Sequence, residues 1–143
     1  MLLKFAQMPI RPDDIRPFIA VASREGMLVN QHLGEATELM IFKRNGANHE
    51  LVGKRHTPEE GTGAMRWVQL AQELKDCAVL LVAAAGPRPK EILTREGLRV
   101  VEMEGMIDDG LRAVFSGQEI PAPMRREFKE CGNGCRGTGN GCG

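Results

Sequence analysis

Tyrosine is absent from this chain and tryptophan occurs once, so aromatic residues make up only 4% of the 143 positions. A platform of rings for stacking nucleic-acid bases cannot be assembled from that stock. Charge of one sign is not in surplus either: Lys plus Arg and Asp plus Glu each number 19, a formal net charge of zero. Proteins that hold a phosphate backbone carry a basic excess, so nucleic acid is not an expected partner. No apolar run approaches a membrane span or the core of a signal peptide, which points to a cytoplasmic protein with no membrane partner. The phosphate-loop spelling G-x-x-x-x-G-K-[ST] is missing, as are a Ser/His/Asp or Cys/His set and a carboxylate cluster suited to two-metal hydrolysis. Cysteine is scarce in the body of the chain, where Cys77 stands alone before residue 131. In a cytoplasmic setting such thiols stay reduced unless a metal takes them, and this distribution is not that of a disulfide-stapled core.

What is present suits one domain with one core. Residues 1–17 read as a leader or linker, because Pro9, Pro12 and Pro17 oppose helix and Arg11, Asp13, Asp14 and Arg16 favour water. Either a junction to another domain or a frayed terminus accounts for them. Residues 18–22 form a continuous apolar run fit for a strand covered on both faces. Residues 38–43 and 50–55 are two further strands, joined through Asn45-Gly46 as a turn signal. A helix follows from about Thr62, expected as its N-cap, with Trp67, Leu70, Ala71 and Leu74 on one stripe. Residues 78–83 are a fourth strand and residues 90–96 a short helix with Gly97 just past its end. Residues 98–103 are a fifth strand, and residues 107–115 a third helix. Residues 118–143 read as a flexible tail, rich in glycine and cysteine.

A meander followed by strand–helix–strand units implies right-handed crossovers and a mixed five-stranded sheet of order 3-2-1-4-5, with strand 2 antiparallel. Crossovers diverge around strands 1 and 4. Ligands favour the crevice beyond the carboxyl ends of strands at such a switch point. Two loops line it, residues 23–36 and 84–89.

His32 lies in the first loop, in Asn30-Gln31-His32-Leu33-Gly34-Glu35-Ala36. An imidazole is a good ligand for transition metals, although a lone histidine is as readily structural or merely exposed. In the second loop, Gly86 opens a helix whose free backbone N–H groups and dipole favour an anion. Arg24, Arg88 and Lys90 are close enough in sequence to add positive charge; alternatively the loop is a plain connection and these cations are solvated. The Cys131-x₃-Cys135-x₆-Cys142 tail offers three thiolates that could hold zinc, or iron and sulfide, or be free in a disordered segment. Cys77 reads as a core residue. His49 and His56 read as surface residues, and Glu102 and Glu104 as carboxylates ending the fifth strand on the crevice side.

Residues 18–23, the stretch from Gly26 to Ala36, Arg66-Trp67, Leu74 to Cys77, Ala84-Ala85-Gly86, and Val101 to Gly105 with Asp109-Gly110-Leu111 resemble the nitrogenase cofactor-carrier family. That family comprises NifX, NafY and the C-terminal domain of NifB. The likeness covers roughly residues 17–117. His-Leu-Gly at 32–34 and the cysteine-rich end bring the chain nearest to the NifB domain. The resemblance implies a three-layer α/β/α fold related to ribonuclease H, with residues 18–117 as the cofactor-binding domain. It implies binding of an iron–sulfur cluster, a precursor of the iron-molybdenum cofactor, with His32 at the position of the family's cluster-binding histidine. The implied role is a non-enzymatic carrier among other nitrogenase assembly proteins. The radical-SAM motif C-x₃-C-x₂-C is absent from this chain. Two alternatives stay open: a small metal-dependent hydrolase or nuclease on the same fold, and a regulatory partner domain of the assembly machinery.

Overall fold

The structure is a computed structural model that describes residues 9–125, apart from Pro12 and Thr62. In chain order its elements are β1 (Phe18–Val21), β2 (Leu28–Val29), β3 (Glu38–Asn45), β4 (Asn48–His56), α1 (Ala64–Glu73), β5 (Cys77–Val82), α2 (Pro87–Arg95), β6 (Arg99–Glu102), β7 (Gly105–Met106) and α3 (Ile107–Phe115). Five strands make one sheet in the order β4-β3-β1-β5-β6. β3 is antiparallel to both its neighbours, while β1, β5 and β6 are parallel. This is the expected mixed sheet with its second strand reversed.

Successive residues of a strand face opposite ways, so each apolar run feeds two cores. Ile19, Val21, Phe42, Val79 and Leu81 pack against Ile107, Leu111, Val114 and Phe115 of α3. Ala20, Ala22, Leu39, Ile41, Leu80 and Val82 face the other way, onto Leu70, Ala71 and Leu74 at α1 and Leu93 of α2. One helix covers one face and two cover the other, giving the three layers of a ribonuclease H-like arrangement.

Local chemistry sets the boundaries. α1 starts at Ala64 with Gly63 as its N-cap at φ 62°; Thr62, the expected cap, lies outside the described residues. α2 starts at Pro87, earlier than the expected residue 90. Proline at the first helical position has no N–H to lose. Past the end of α2, Gly97 has φ 98°. Its N–H reaches the Thr94 carbonyl at 3.0 Å and the Leu98 N–H reaches the Leu93 carbonyl at 3.0 Å. That double bond pattern is a Schellman stop. Between β3 and β4, Asn45 pairs with Asn48 across two central residues, the first being Gly46 at φ 65°. A glycine with positive φ there matches a type II′ hairpin, whose twist suits the flanking strands.

Three features were not legible beforehand. β2 and β7 pair as a separate two-stranded ribbon. Residues before Phe18 join the core: Ile10 is buried, its N–H reaches Phe115 O at 3.1 Å, and Arg16 donates to the carbonyls of Cys77 and Glu96, each at 3.0 Å. Residues after Phe115 do likewise, through buried Ile120 and an antiparallel bridge between Met103 and Arg125. Among the described residues no helix is long and apolar enough to cross a membrane.

Candidate functional site

The loop after β1 crosses the carboxyl edge of the sheet from one face to the other. Val29 is buried in the core on the α3 side, whereas Leu33 and Ala36 are buried in the core under α1 and α2. The crossing residues are therefore Asn30, Gln31 and His32. Before the crossing, the Glu25 carboxylate accepts from the N–H groups of Met27 and Leu28, both at 2.9 Å, and from the Asn30 side-chain amide at 2.7 Å. The Asn30 bond holds the Glu25 carboxyl below its ordinary range. Asn30 Oδ1 in turn accepts from the Arg24 N–H at 2.9 Å. The loop is thus folded on its own polar groups up to the crossing.

Backbone bonds then pin His32 to the neighbouring loop. The Ala83 N–H donates to Gln31 O at 3.0 Å and the Leu33 N–H to Ala84 O at 2.9 Å, a parallel bridge between His32 and Ala84. A single 3₁₀ turn, Leu33–Glu35, follows, and His32 occupies its N-cap position without capping it by its side chain. The result is a fixed main chain with an exposed imidazole. His32 and the Ala84–Gly86 loop, which the sequence placed at the two walls of one crevice, are hydrogen-bonded neighbours.

The charges expected around the notch are arranged differently. Lys90 is not a free cation: its ammonium lies 2.7 Å from Glu102 Oε1, while Glu102 Oε2 accepts from the Ala85 N–H at 2.9 Å. A carboxylate of the chain itself thus sits at the mouth of α2, where an external anion was expected. Arg24 meets Glu35 at 3.1 Å, with both side chains more than half exposed. Such a pair is weak and screened by salt. Gly86 is the exposed N-cap of α2, again with no side-chain cap. Arg88, in the first turn of α2, is exposed and lines a neighbouring cleft of about 500 Å³ with Gly61, Gly63, Ala64, Arg66 and Trp67. Arg66 is the residue that sequence reasoning passed over as chemistry. It is buried, donates to Pro58 O at 3.1 Å and to Gly34 O at 3.3 Å, and so braces the turn that carries His32.

Other candidates lie elsewhere. His49 is on the α3 side, 2.7 Å from Asp108 and edge-on to Phe42. His56 is exposed at the end of β4, and Glu104 is exposed beyond β6. Cys77 is fully buried, and burial pushes its thiol up to about 12. Cys131, Cys135 and Cys142 lie outside the described residues. Among the described residues no group of three His, Cys, Asp or Glu side chains could hold a metal ion. What the notch can offer is one exposed imidazole beside the start of α2, with cations that are already paired to carboxylates (Lys90, Arg24) or face the neighbouring cleft (Arg88), a set suited to gripping one corner of a ligand that brings its own remaining donors.

Comparison with known proteins identifies the family. The family model "Dinitrogenase iron-molybdenum cofactor" matches residues 16–117. A FeMo cofactor biosynthesis protein NifB of Chlorobaculum tepidum is 41% identical over 144 aligned residues, covering 99% of this chain but 34% of that protein. The protein of the same name from Frankia alni is 29% identical over 116 residues, with 76% of this chain and 22% of that protein covered. The chain therefore spans about a third or less of the length of the curated relatives it matches. The crystal structure of PH0822 superposes with a TM-score of 0.57 at 20% identity over 78% of this chain and 97% of that one, a likeness of fold. With a family match across most of its length, the chain belongs to the dinitrogenase iron-molybdenum cofactor family, that of NifX and the C-terminal domain of NifB.

Proposed function

We propose that this domain takes part in nitrogenase cofactor biosynthesis by binding and carrying an iron–sulfur precursor of the iron-molybdenum cofactor, without catalysing its synthesis. The observation that carries the proposal is the exposed His32 imidazole on a main chain pinned to Ala84. An imidazole nitrogen suits iron, and a single protein ligand at an open edge lets a cargo leave as well as arrive. Family membership and the biosynthesis proteins NifB among its relatives support the same role. Arg88 and the amides near Gly86 offset the negative charge of a sulfide-rich cluster. Lys90 joins them when its ion pair with Glu102 opens, and Arg24 contributes a weaker, mobile charge. Cys131, Cys135 and Cys142 supply further thiolate donors to iron. The domain works in the cytoplasm beside other assembly proteins, to which it delivers its load.

The hydrolase alternative is less well supported, because Glu102, the best-placed carboxylate, is tied to Lys90 and to the Ala85 amide. Anaerobic titration with the isolated precursor cluster tests the proposal. Replacing His32 by alanine is expected to weaken binding by about tenfold or more, the scale of losing one metal ligand or its positioning. Equal affinity in the two proteins would refute the assignment.

A further inference from the structure

The cleft beside the notch holds a buried charge with no counter-charge among the described residues. Arg66 is 8% exposed. Its Nε and Nη1 reach two carbonyl oxygens, and its guanidinium lies 4.6 Å from the centroid of the Trp67 ring. Carbonyl dipoles and a ring face temper a cation without neutralising it, and buried charges are ordinarily paired. Among the described residues neither Arg66 nor Arg88 forms an ion pair, and Arg66 Nη2 has no hydrogen-bond partner. No fully enclosed side-chain nitrogen lacks a partner among those residues, so Nη2 is not fully enclosed, and Arg66 is one of the residues that line the cleft. Arg88 lines the same cleft. So does the start of α1, where the N-cap, Gly63, has no side chain with which to cap the first amides.

We propose that this cleft is a binding site for a small organic dicarboxylate. A planar guanidinium fork matches a carboxylate in a bidentate pair, and two such groups on one cleft match two carboxylates. The first two amides of α1, those of Ala64 and Met65, add donors to the Arg66 end. The half-buried Trp67 ring gives the intervening carbon chain an apolar wall. A volume of about 500 Å³ admits a molecule of that size. The Arg66 bond to Gly34 O would then couple occupancy of the cleft to the turn that begins at His32.

The site can be tested without any cluster, so it stands or falls separately from the carrier role. Trp67 is the only tryptophan of the chain and lines the cleft, so its fluorescence reports occupancy directly. The cargo-free protein is titrated with succinate, acetate and inorganic phosphate at fixed ionic strength. Succinate is expected to give a saturable change, with acetate binding about tenfold or more weakly. Arg88→Ala, at an exposed position, is expected to weaken succinate about tenfold or more, the value of a charge-assisted pair. Arg66→Lys keeps the charge but loses the fork and is expected to weaken succinate while the protein still melts cooperatively. A signal that does not saturate, or that survives Arg88→Ala unchanged, overturns the proposal. Acetate as tight as succinate overturns the two-carboxylate geometry, and saturation by phosphate alone overturns the carboxylate assignment.

Discussion

Glu102 shows how one side chain can change the chemistry of a site. With its oxygens 2.7 Å from Lys90 Nζ and 2.9 Å from the Ala85 nitrogen, it occupies donors that an anionic cargo would also use. On the proposed carrier role, binding would have to displace or share a carboxylate. Glu102→Gln keeps the shape and removes the charge, so the affinity for an anionic cluster is expected to rise roughly fivefold, the effect of lifting one like charge at close range. A fall in affinity would mean that Glu102 orders the notch instead of competing for it. The exposed crossing at His32 was legible as a candidate because the sequence puts a polar stretch between two apolar runs. The Lys90–Glu102 pair was not, since nothing local joins residues twelve positions apart across a helix and a strand.

Cys77 belongs to the same scale and teaches the opposite lesson, a reactive residue type with no reactivity. Its thiol is raised from 9.0 to about 12, by burial first and then by the neighbouring Asp76 charge. A thiol that stays protonated in the folded state but ionises above about 9 when unfolded stabilises the fold fully below 9, and that contribution is lost as pH rises towards 12. In a variant with Cys131, Cys135 and Cys142 changed to serine, the remaining thiol should resist alkylation at pH 8 until denaturant is added. Prompt labelling of the native variant would contradict the burial.

At the scale of elements, the long periodic stretches were readable and the short ones were not. The third helix has the expected bounds because Ile107, Leu111, Val114 and Phe115 form one stripe. Two-residue strands carry no period, so β2 and β7 escaped detection; only the sheet partner defines them. Ile10 and Ile120 escaped for a similar reason: each is a lone apolar residue among prolines and charges, and tertiary packing alone decides its burial. The stop of α2 was legible because glycine is the residue that takes positive φ at low cost. There Gly97 also lies under Arg16, and a Cβ at that position would meet Arg16 Nη2 at 2.9 Å. Gly97→Ala should cost about 1–2 kcal/mol in chemical denaturation, through left-handed strain and through the loss of Arg16's bonds to Cys77 O and Glu96 O. A stability within a few tenths of a kcal/mol of the parent would show that Arg16 swings away freely.

Among the described residues the molecule is a sheet covered on both faces by helices, and the carboxyl end of its central strands gathers the candidate chemistry. The His32 crossing, the start of α2 and the Arg66 cleft all lie at or beside the carboxyl ends of β1 and β5, where the chain departs to opposite sides. That convergence follows from topology, since crossovers that diverge leave a notch that no helix fills. The strand order was derivable from the pattern of runs, whereas the balance of charges inside the notch depended on side-chain partners. The central claim is that the His32 imidazole is bonded to a metal of the cargo. The most direct measurement is electron–nuclear double resonance on cluster-loaded protein made with ¹⁵N-histidine, with the cluster poised in a paramagnetic state. A strongly coupled histidine nitrogen that disappears in His32→Ala is the predicted result; a spectrum with no coupled histidine nitrogen, or one that persists in His32→Ala, would contradict it.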